Sequence, residues 1–171
     1  TEIGSVRPGR SDRTAGRPPQ GLGGLLRDRL ARQSGRPVEL LETHISWVLL
    51  TGDIAYKIKK PVDLGFVDFS TLELRRHFCA EELRLNRRLA PDLYLDVVAV
   101  RGTPAAPTLD GDGPVLDYAV RMREFPQDAL LPRVLERGAL TAALVDDLAA
   151  EVAAFHRRID AAPADGPFGV P

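Results

Sequence analysis

The chain of 171 residues carries one cysteine, Cys79, so it cannot close a disulfide within itself. A lone thiol fits a reducing compartment, and a cytoplasmic location is expected. No apolar run approaches the roughly 20 residues of a membrane-spanning helix, so a membrane is not an expected partner. An excess of positive charge is also missing: 23 Lys and Arg face 24 Asp and Glu, a formal net charge of −1. Dedicated nucleic-acid binders usually carry a basic surplus, and nucleic acid is therefore not an expected partner either. The opening TEIGSVRPGRSDRTAGRPPQ has arginines but no apolar segment of a secretory signal, and no initiating methionine. A processed or truncated chain is the expectation.

Several catalytic signatures are absent as well. GLGG at residues 21–24 follows no strand and ends in no Gly-Lys-Ser/Thr, so it does not read as a phosphate loop. No G-x-S-x-G elbow occurs. His44 and His77 lack the Cys/His spacing of a zinc site. Cys79 falls on a helical face outside the expected core and has no evident base, which speaks against a nucleophile. His156, bordering an apolar helical row, reads as a structural histidine satisfied by a backbone carbonyl.

What is present suits one domain or one lobe of a larger one. Hydrophobic residues make up 44%, enough for a packed core. Residues 1–20 read as a flexible tail. A short helix follows, with Leu22, Leu25, Leu26 and Leu30 inward and Gly35 and Pro37 as its stop. VELLET, SWVLLTG and IAYKIKK read as strands, the last two joined by a turn at Gly52-Asp53. A helix is expected from about Thr71 to Leu89, capped by Ser70 with Glu73 three residues on. Two strands, LYLDVVAVRG and VLDYAVRMREF, then flank a turn at LDGDGP. Helical text closes the chain, with Leu144, Leu148, Val152, Phe155 and Ile159 forming an amphipathic stripe. This order predicts an α+β fold: an antiparallel sheet of about five strands with one helix packed on it, then further helices.

The chemistry concentrates in IAYKIKKPV, residues 54–62, where three lysines crowd one strand. Alternation puts Ala55, Lys57 and Lys59 on one face and Ile54, Tyr56 and Ile58 on the other. A flat base could pack over Ala55 while Lys57 reaches its phosphates. Lys59 is the fallback and Lys60 is expected to face solvent. The rival reading is a solvated basic strand that resists edge-to-edge pairing. In the next helix, Glu82 interrupts an apolar stripe of Leu74, Phe78, Leu85 and Leu89. A carboxylate there is costly unless a cation meets it, and Lys57 is the natural partner. Glu81 is the less favoured alternative, and a glutamate whose head merely reaches water is the third. Met122, Arg123, Glu124 and Phe125 then run into Pro126 and helical signals. This reads as a hinge whose backbone groups could bond an adenine edge, or as an ordinary strand-to-helix connection.

Taken together, these stretches resemble the aminoglycoside-phosphotransferase-like kinases, and most of all a bacterial branch described as aminoglycoside phosphotransferase family enzymes, sometimes fused to a P-loop ATPase domain. The matching text runs from THISWVLLTGDIAYKIKKPVDLGFVDFS through TLELRRHFCAEELRLNRRLAPDLYL, with MREFP as hinge and LAAEVAAFHRR as the following helix. The resemblance implies a protein-kinase-like N-lobe over 21–121, a hinge at 122–126 and the start of an incomplete helical C-lobe over 127–171. It implies Lys57 as the phosphate-binding lysine, Glu82 as its partner, and Met122 to Phe125 as the adenine-facing segment. Ser46 is the best candidate where protein kinases keep a Gly-rich loop. ATP or GTP with Mg²⁺ would be the cofactor, and a hydroxyl on a small molecule the phosphate acceptor. The family's H-G-D-x-H-x-x-N loop, with its catalytic Asp, does not occur in the chain. The chain alone is therefore expected to bind nucleotide weakly and not to turn over, since phosphoryl transfer depends on metal and base positioning. A second reading is a non-catalytic, degenerate kinase lobe that binds a protein or nucleotide. Apolar helices after Pro126 would then form an interface, and a homodimer is one expected form. A third, nucleic-acid binding through RRHFCAEELRLNRR, is opposed by the charge balance.

Overall fold

The structure is a computed structural model that describes residues 21–163 and 166. The tail expected at 1–20, and most of the stretch after 163, lie outside the described residues. In chain order the elements are α1 (Leu22–Ser34), β1 (Glu39–Glu42), β2 (Ser46–Leu50), β3 (Ile54–Lys59), α2 (Leu72–Asn86), β4 (Tyr94–Thr103), β5 (Ala106–Leu109), β6 (Val115–Arg123), a 3₁₀ turn (Gln127–Ala129), α3 (Leu131–Glu136) and α4 (Ala142–Arg158). The fold is α+β, and its six strands form one antiparallel sheet in the order β1-β2-β3-β6-β4-β5.

Two expectations about the sheet need correction. It has six strands rather than five, because Ala106–Leu109 pairs with the end of β4. That strand holds a proline and only four residues, so it carried too little alternation to stand out. LDGDGP then joins β5 to β6. The sheet also carries two helices, one on each face. Ile58 points away from Lys57 and Lys59, and joins Leu26 of α1 with Val38, Leu49, Val98, Val100 and Ala119 in the main core cluster. Each buried Leu, Ile or Val side chain of this cluster contributes about 1.5–3 kcal/mol. α1 touches β1 and β2 at one end of the strand order and β5 at the other, so the sheet curls around it.

Packing also explains GLGG. A Cβ placed on Gly23 would stand 2.6 Å from Cγ of Trp47, so the glycine lets the helix approach the indole. At the β2–β3 hairpin Gly52 has φ +98°, the left-handed region that glycine tolerates, as its turn position requires.

α2 lies on the opposite face, against β6 and β4. Its cap is Thr71, whose hydroxyl accepts from Leu74 N at 3.2 Å, and not Ser70; the helix therefore starts one residue later than the capping-box pattern suggested. The buried side of α2 differs from the expected stripe. Leu85 and Leu89 are exposed, whereas Arg75 and Cys79 are buried. Cys79 is thus a core residue, correcting its placement on an outer face. Its thiol lies 3.8 Å from Tyr118 O, and burial pushes its pKa up to about 11. The stripe failed because the sheet meets α2 along the Arg75–Cys79–Glu82 line, where an ion pair replaces apolar contact.

α3 and α4 stand apart from the sheet. Thr141 caps α4, accepting from Leu144 N at 3.3 Å. The expected stripe exists, yet Leu144, Leu148, Val152 and Ile159 are all exposed. α4 meets the end of α2 through Phe155, whose ring lies 5.1 Å from Arg88 and 5.8 Å from Arg158. His156 is exposed and its imidazole makes no hydrogen bond to a described residue, so it is not the carbonyl-satisfied histidine expected. Among the described residues, no helix is long and apolar enough to cross a membrane.

Candidate functional site

Strand register assembles the site. Ala55 faces Leu50 on one side and Met122 on the other, and Lys57 faces Val48 and Val120. Directly opposed residues share a face, so Leu41, Val48, Leu50, Ala55 and Met122 form a continuous apolar surface. With Phe125 closing one end, they line a cleft of about 170 Å³. Lys57 stands two residues along the same face from Ala55, roughly 7 Å by strand rise.

At that end Lys57 Nζ donates to Glu82 Oε1 at 2.8 Å, and Lys59 Nζ donates to Glu82 Oε2 at 2.6 Å. The two lysines on one strand face thus share a single carboxylate from α2. Burial opposes ionisation of Glu82, but the hydrogen bonds and charges of both lysines outweigh it and hold the carboxyl below its ordinary range. Their environments differ. The Lys59 side chain is 7% exposed and its ammonium lies 4.9 Å from the Phe69 ring centre, whereas Lys57 is 31% exposed. The trio carries two positive charges and one negative, leaving a net +1. Lys57 is the member that can turn toward an anion while Lys59 keeps Glu82 in place. Every lysine of the chain lies in this run, and the other permanently cationic side chains are arginines.

Lys60 departs from expectation. It donates to Glu42 Oε1 and to Thr43 O, each at 2.6 Å, and sits 5.3 Å from the Trp47 ring, with its side chain only 16% exposed. Glu81 pairs with Arg84 at 2.7 Å, leaving Glu82 as the glutamate that meets the lysines. Ser46 is buried, and its hydroxyl lies 2.9 Å from that of Thr43 inside the β1–β2 turn. It is an element of the turn, away from open solvent.

At the far end of the cleft, the backbone N–H of Arg123 donates to Leu93 O at 2.8 Å, and that of Glu124 to Asp53 O at 2.9 Å. The Glu124 carboxylate accepts from Gly52 N at 2.7 Å, latching the β2–β3 turn to this segment. Met122 contributes its side chain to the cleft, and Phe125 O accepts from Gln127 Nε2 at 3.2 Å.

Two features were missed in the sequence. Arg75 and Asp117 form a buried ion pair, 2.8 Å between Nε and Oδ1, and Arg75 Nη1 also donates to Phe69 O at 3.0 Å and Ser70 O at 3.1 Å. This fixes the start of α2 to β6. Burial raises the Asp117 carboxyl despite the arginine. The available signals were an aspartate inside the apolar run VLDYAV and an arginine seven residues before Glu82, on the same helical face. The second is Tyr94, opposite Met122 in the sheet, whose phenol is pushed up by burial and by the charge of Glu82. Among the described residues, no three His, Cys, Asp or Glu side chains gather to hold a metal ion.

No family model matches the chain, and no solved structure matches it. It is similar to the uncharacterized protein Rv2004c of Mycobacterium tuberculosis and the uncharacterized protein Mb2027c of Mycobacterium bovis. Identity to each is 35% over 121 residues, which is 71% of this chain and 23% of either relative. The chain thus matches less than a quarter of the length of these relatives.

Proposed function

We propose that this chain is the nucleotide-binding portion of an ATP-dependent phosphotransferase with a protein-kinase-like N-lobe, related to the aminoglycoside phosphotransferases, whose acceptor is a hydroxyl on a small molecule. The observation that carries this reading is the sharing of Glu82 by Lys57 and Lys59 at one end of an apolar cleft floored by Ala55. A flat base over Ala55, Val48 and Met122 leaves phosphates near the surplus positive charge. Support also comes from the topology, in which α2 connects β3 to β4 and β6 lies between them, the arrangement such a lobe uses to bring a helix carboxylate to a strand lysine. In this reading Glu82 and Lys59 are positioning residues and Lys57 is the phosphate contact. The residues present fit a nucleotide. Among the described residues they do not gather a Mg²⁺ site, and in this reading the metal ligands and catalytic base would belong to other parts of a longer protein.

Titration of the chain with ATP, followed by thermal shift, tests the proposal. An ATP-dependent rise in melting temperature that Lys57→Ala abolishes is expected. A rise of equal size in Lys57→Ala would remove Lys57 from the site.

A second reading has its own observation. Leu131, Leu135, Leu144, Val145, Leu148 and Val152 on α3 and α4 are exposed together, which favours a non-catalytic module that buries this face against a protein, including a second copy of itself. Sedimentation of Leu148→Glu separates the two. This reading expects wild-type dimers that the variant dissolves, whereas a monomeric wild type counts against a homodimer.

A further inference from the structure

A second cleft lies on a flank of α2 turned away from Glu82, between that helix and strands β4 and β6. It holds about 800 Å³, within the range of small-ligand sites. Val97, Ala99 and the Tyr118 ring make its floor apolar and partly aromatic, while Arg76, Arg84 and Arg87 line it from the helix. Arg84 is matched by Glu81. Arg87 directs its guanidinium to the carbonyls of Tyr94 and Leu95, which fixes it in place without cancelling its charge. Arg76 makes no ion pair with a described residue, and its guanidinium stands 5.7 Å from the centre of the Tyr118 ring. Asp110 is the acidic side chain on the lining.

We propose that this cleft is a second binding site, separate from the Lys57 cleft, for a small organic anion. The ligand would be a phosphate ester or carboxylate joined to a planar apolar group. The planar group would stack on Tyr118 over Val97 and Ala99, and the anion would take the fork of Arg76 with the fixed charge of Arg87 behind it. Guanidinium suits such an anion because its planar N–H pairs match two oxygens at once. Three arginines against one aspartate and one glutamate leave a net +1 to be neutralised.

The test is an amide-resolved NMR titration of the full chain with 1-naphthyl phosphate, with inorganic phosphate and 1-naphthol as single-feature controls. Saturable shifts are expected at residues 76–87, 97–99 and 118, with each control weaker by on the order of tenfold. Arg76→Gln should weaken 1-naphthyl phosphate binding by a similar factor, and Lys57→Ala should leave it unchanged. Because Arg76 is exposed and makes no ion pair with a described residue, its replacement should leave the fold intact, which the spectrum of the free variant reports directly. Absence of saturation, shifts confined to residues 54–59 and 122–125 or to α4, or equal affinity of Arg76→Gln would each overturn the proposal.

Discussion

Lys57 and Lys59 donate to different oxygens of one carboxylate, at 2.8 and 2.6 Å, so Glu82 is the single anion balancing two cations on the same strand face. Removing the shared anion should cost more than removing either cation. Glu82→Gln leaves two ammonium groups close together with no counter-charge, and a loss of about 3 kcal/mol in stability is expected. Lys57→Ala removes the more exposed partner while Lys59 still holds Glu82, and should cost about 1 kcal/mol or less. Urea unfolding of the two variants measures both, and the ranking would be reversed if Lys57 were the true anchor of α2.

The pH dependence of stability follows from the same carboxyl. Glu82 titrates below its ordinary value of 4.5 in the folded protein, so the folded state binds this proton less readily than the unfolded chain. Its contribution is therefore fully present above about pH 4.5 and is lost as pH falls through the lowered folded value. Asp117 has the opposite sign: its raised folded pKa makes its ionisation a cost at neutral pH that is relieved on acidification. Melting temperatures of wild type and Glu82→Gln, measured by calorimetry, should differ by a constant amount well above the ordinary value of 4.5 and converge as pH falls through the lowered folded value.

Arg75 and Asp117 provide a second test of buried charge. Arg75→Met alone strands a buried carboxylate and should cost about 3–5 kcal/mol. Adding Asp117→Leu removes the stranded charge and should recover much of that loss. A double-mutant cycle by denaturant unfolding gives the coupling. Additive costs would mean that the pair does not act as a unit.

Cys79 is expected to be chemically silent. The thiol is fully buried and its pKa of about 11 leaves almost no thiolate at neutral pH. Iodoacetamide at pH 8 should modify it only after unfolding in denaturant, as read by mass spectrometry. Rapid labelling of the native protein would show that the sheet opens beside α2.

Apolar helices can be tested by surface substitution. Leu148 is 55% exposed, so Leu148→Glu should change the stability of the isolated chain by less than about 0.5 kcal/mol. A loss of several kcal/mol would mean that α4 is packed inward in solution.

Period-two alternation put Ala55, Lys57 and Lys59 on one face, and the structure has them there because a strand offers no other arrangement. The helix after them was equally legible in existence, and less so in orientation. Counting apolar residues on α2 pointed to Leu85 and Leu89, whereas the sheet meets Arg75, Cys79 and Glu82. A hydrophobic stripe identifies the buried side only when apolar contact is what buries it. Here two ion pairs, Arg75 with Asp117 and Glu82 with the lysines, share that task. The role of Lys60 was hidden for a related reason, because its partners Glu42 and Thr43 lie 18 and 17 residues away, whereas β5 pairs with the neighbouring β4 and was hidden only by its shortness and its proline.

Local chemistry in the chain thus determined the elements: turn residues, caps, alternation and helical spacing depend on neighbours a few positions away. Tertiary structure decided which charges meet. Glu82 lies 25 residues from Lys57, and Asp117 lies 42 from Arg75. Whether such groups come within hydrogen-bond distance is set by strand order and by the rotation of α2 over the sheet. Long-range packing fixes both, because burying an unpaired charge costs more than any local preference supplies.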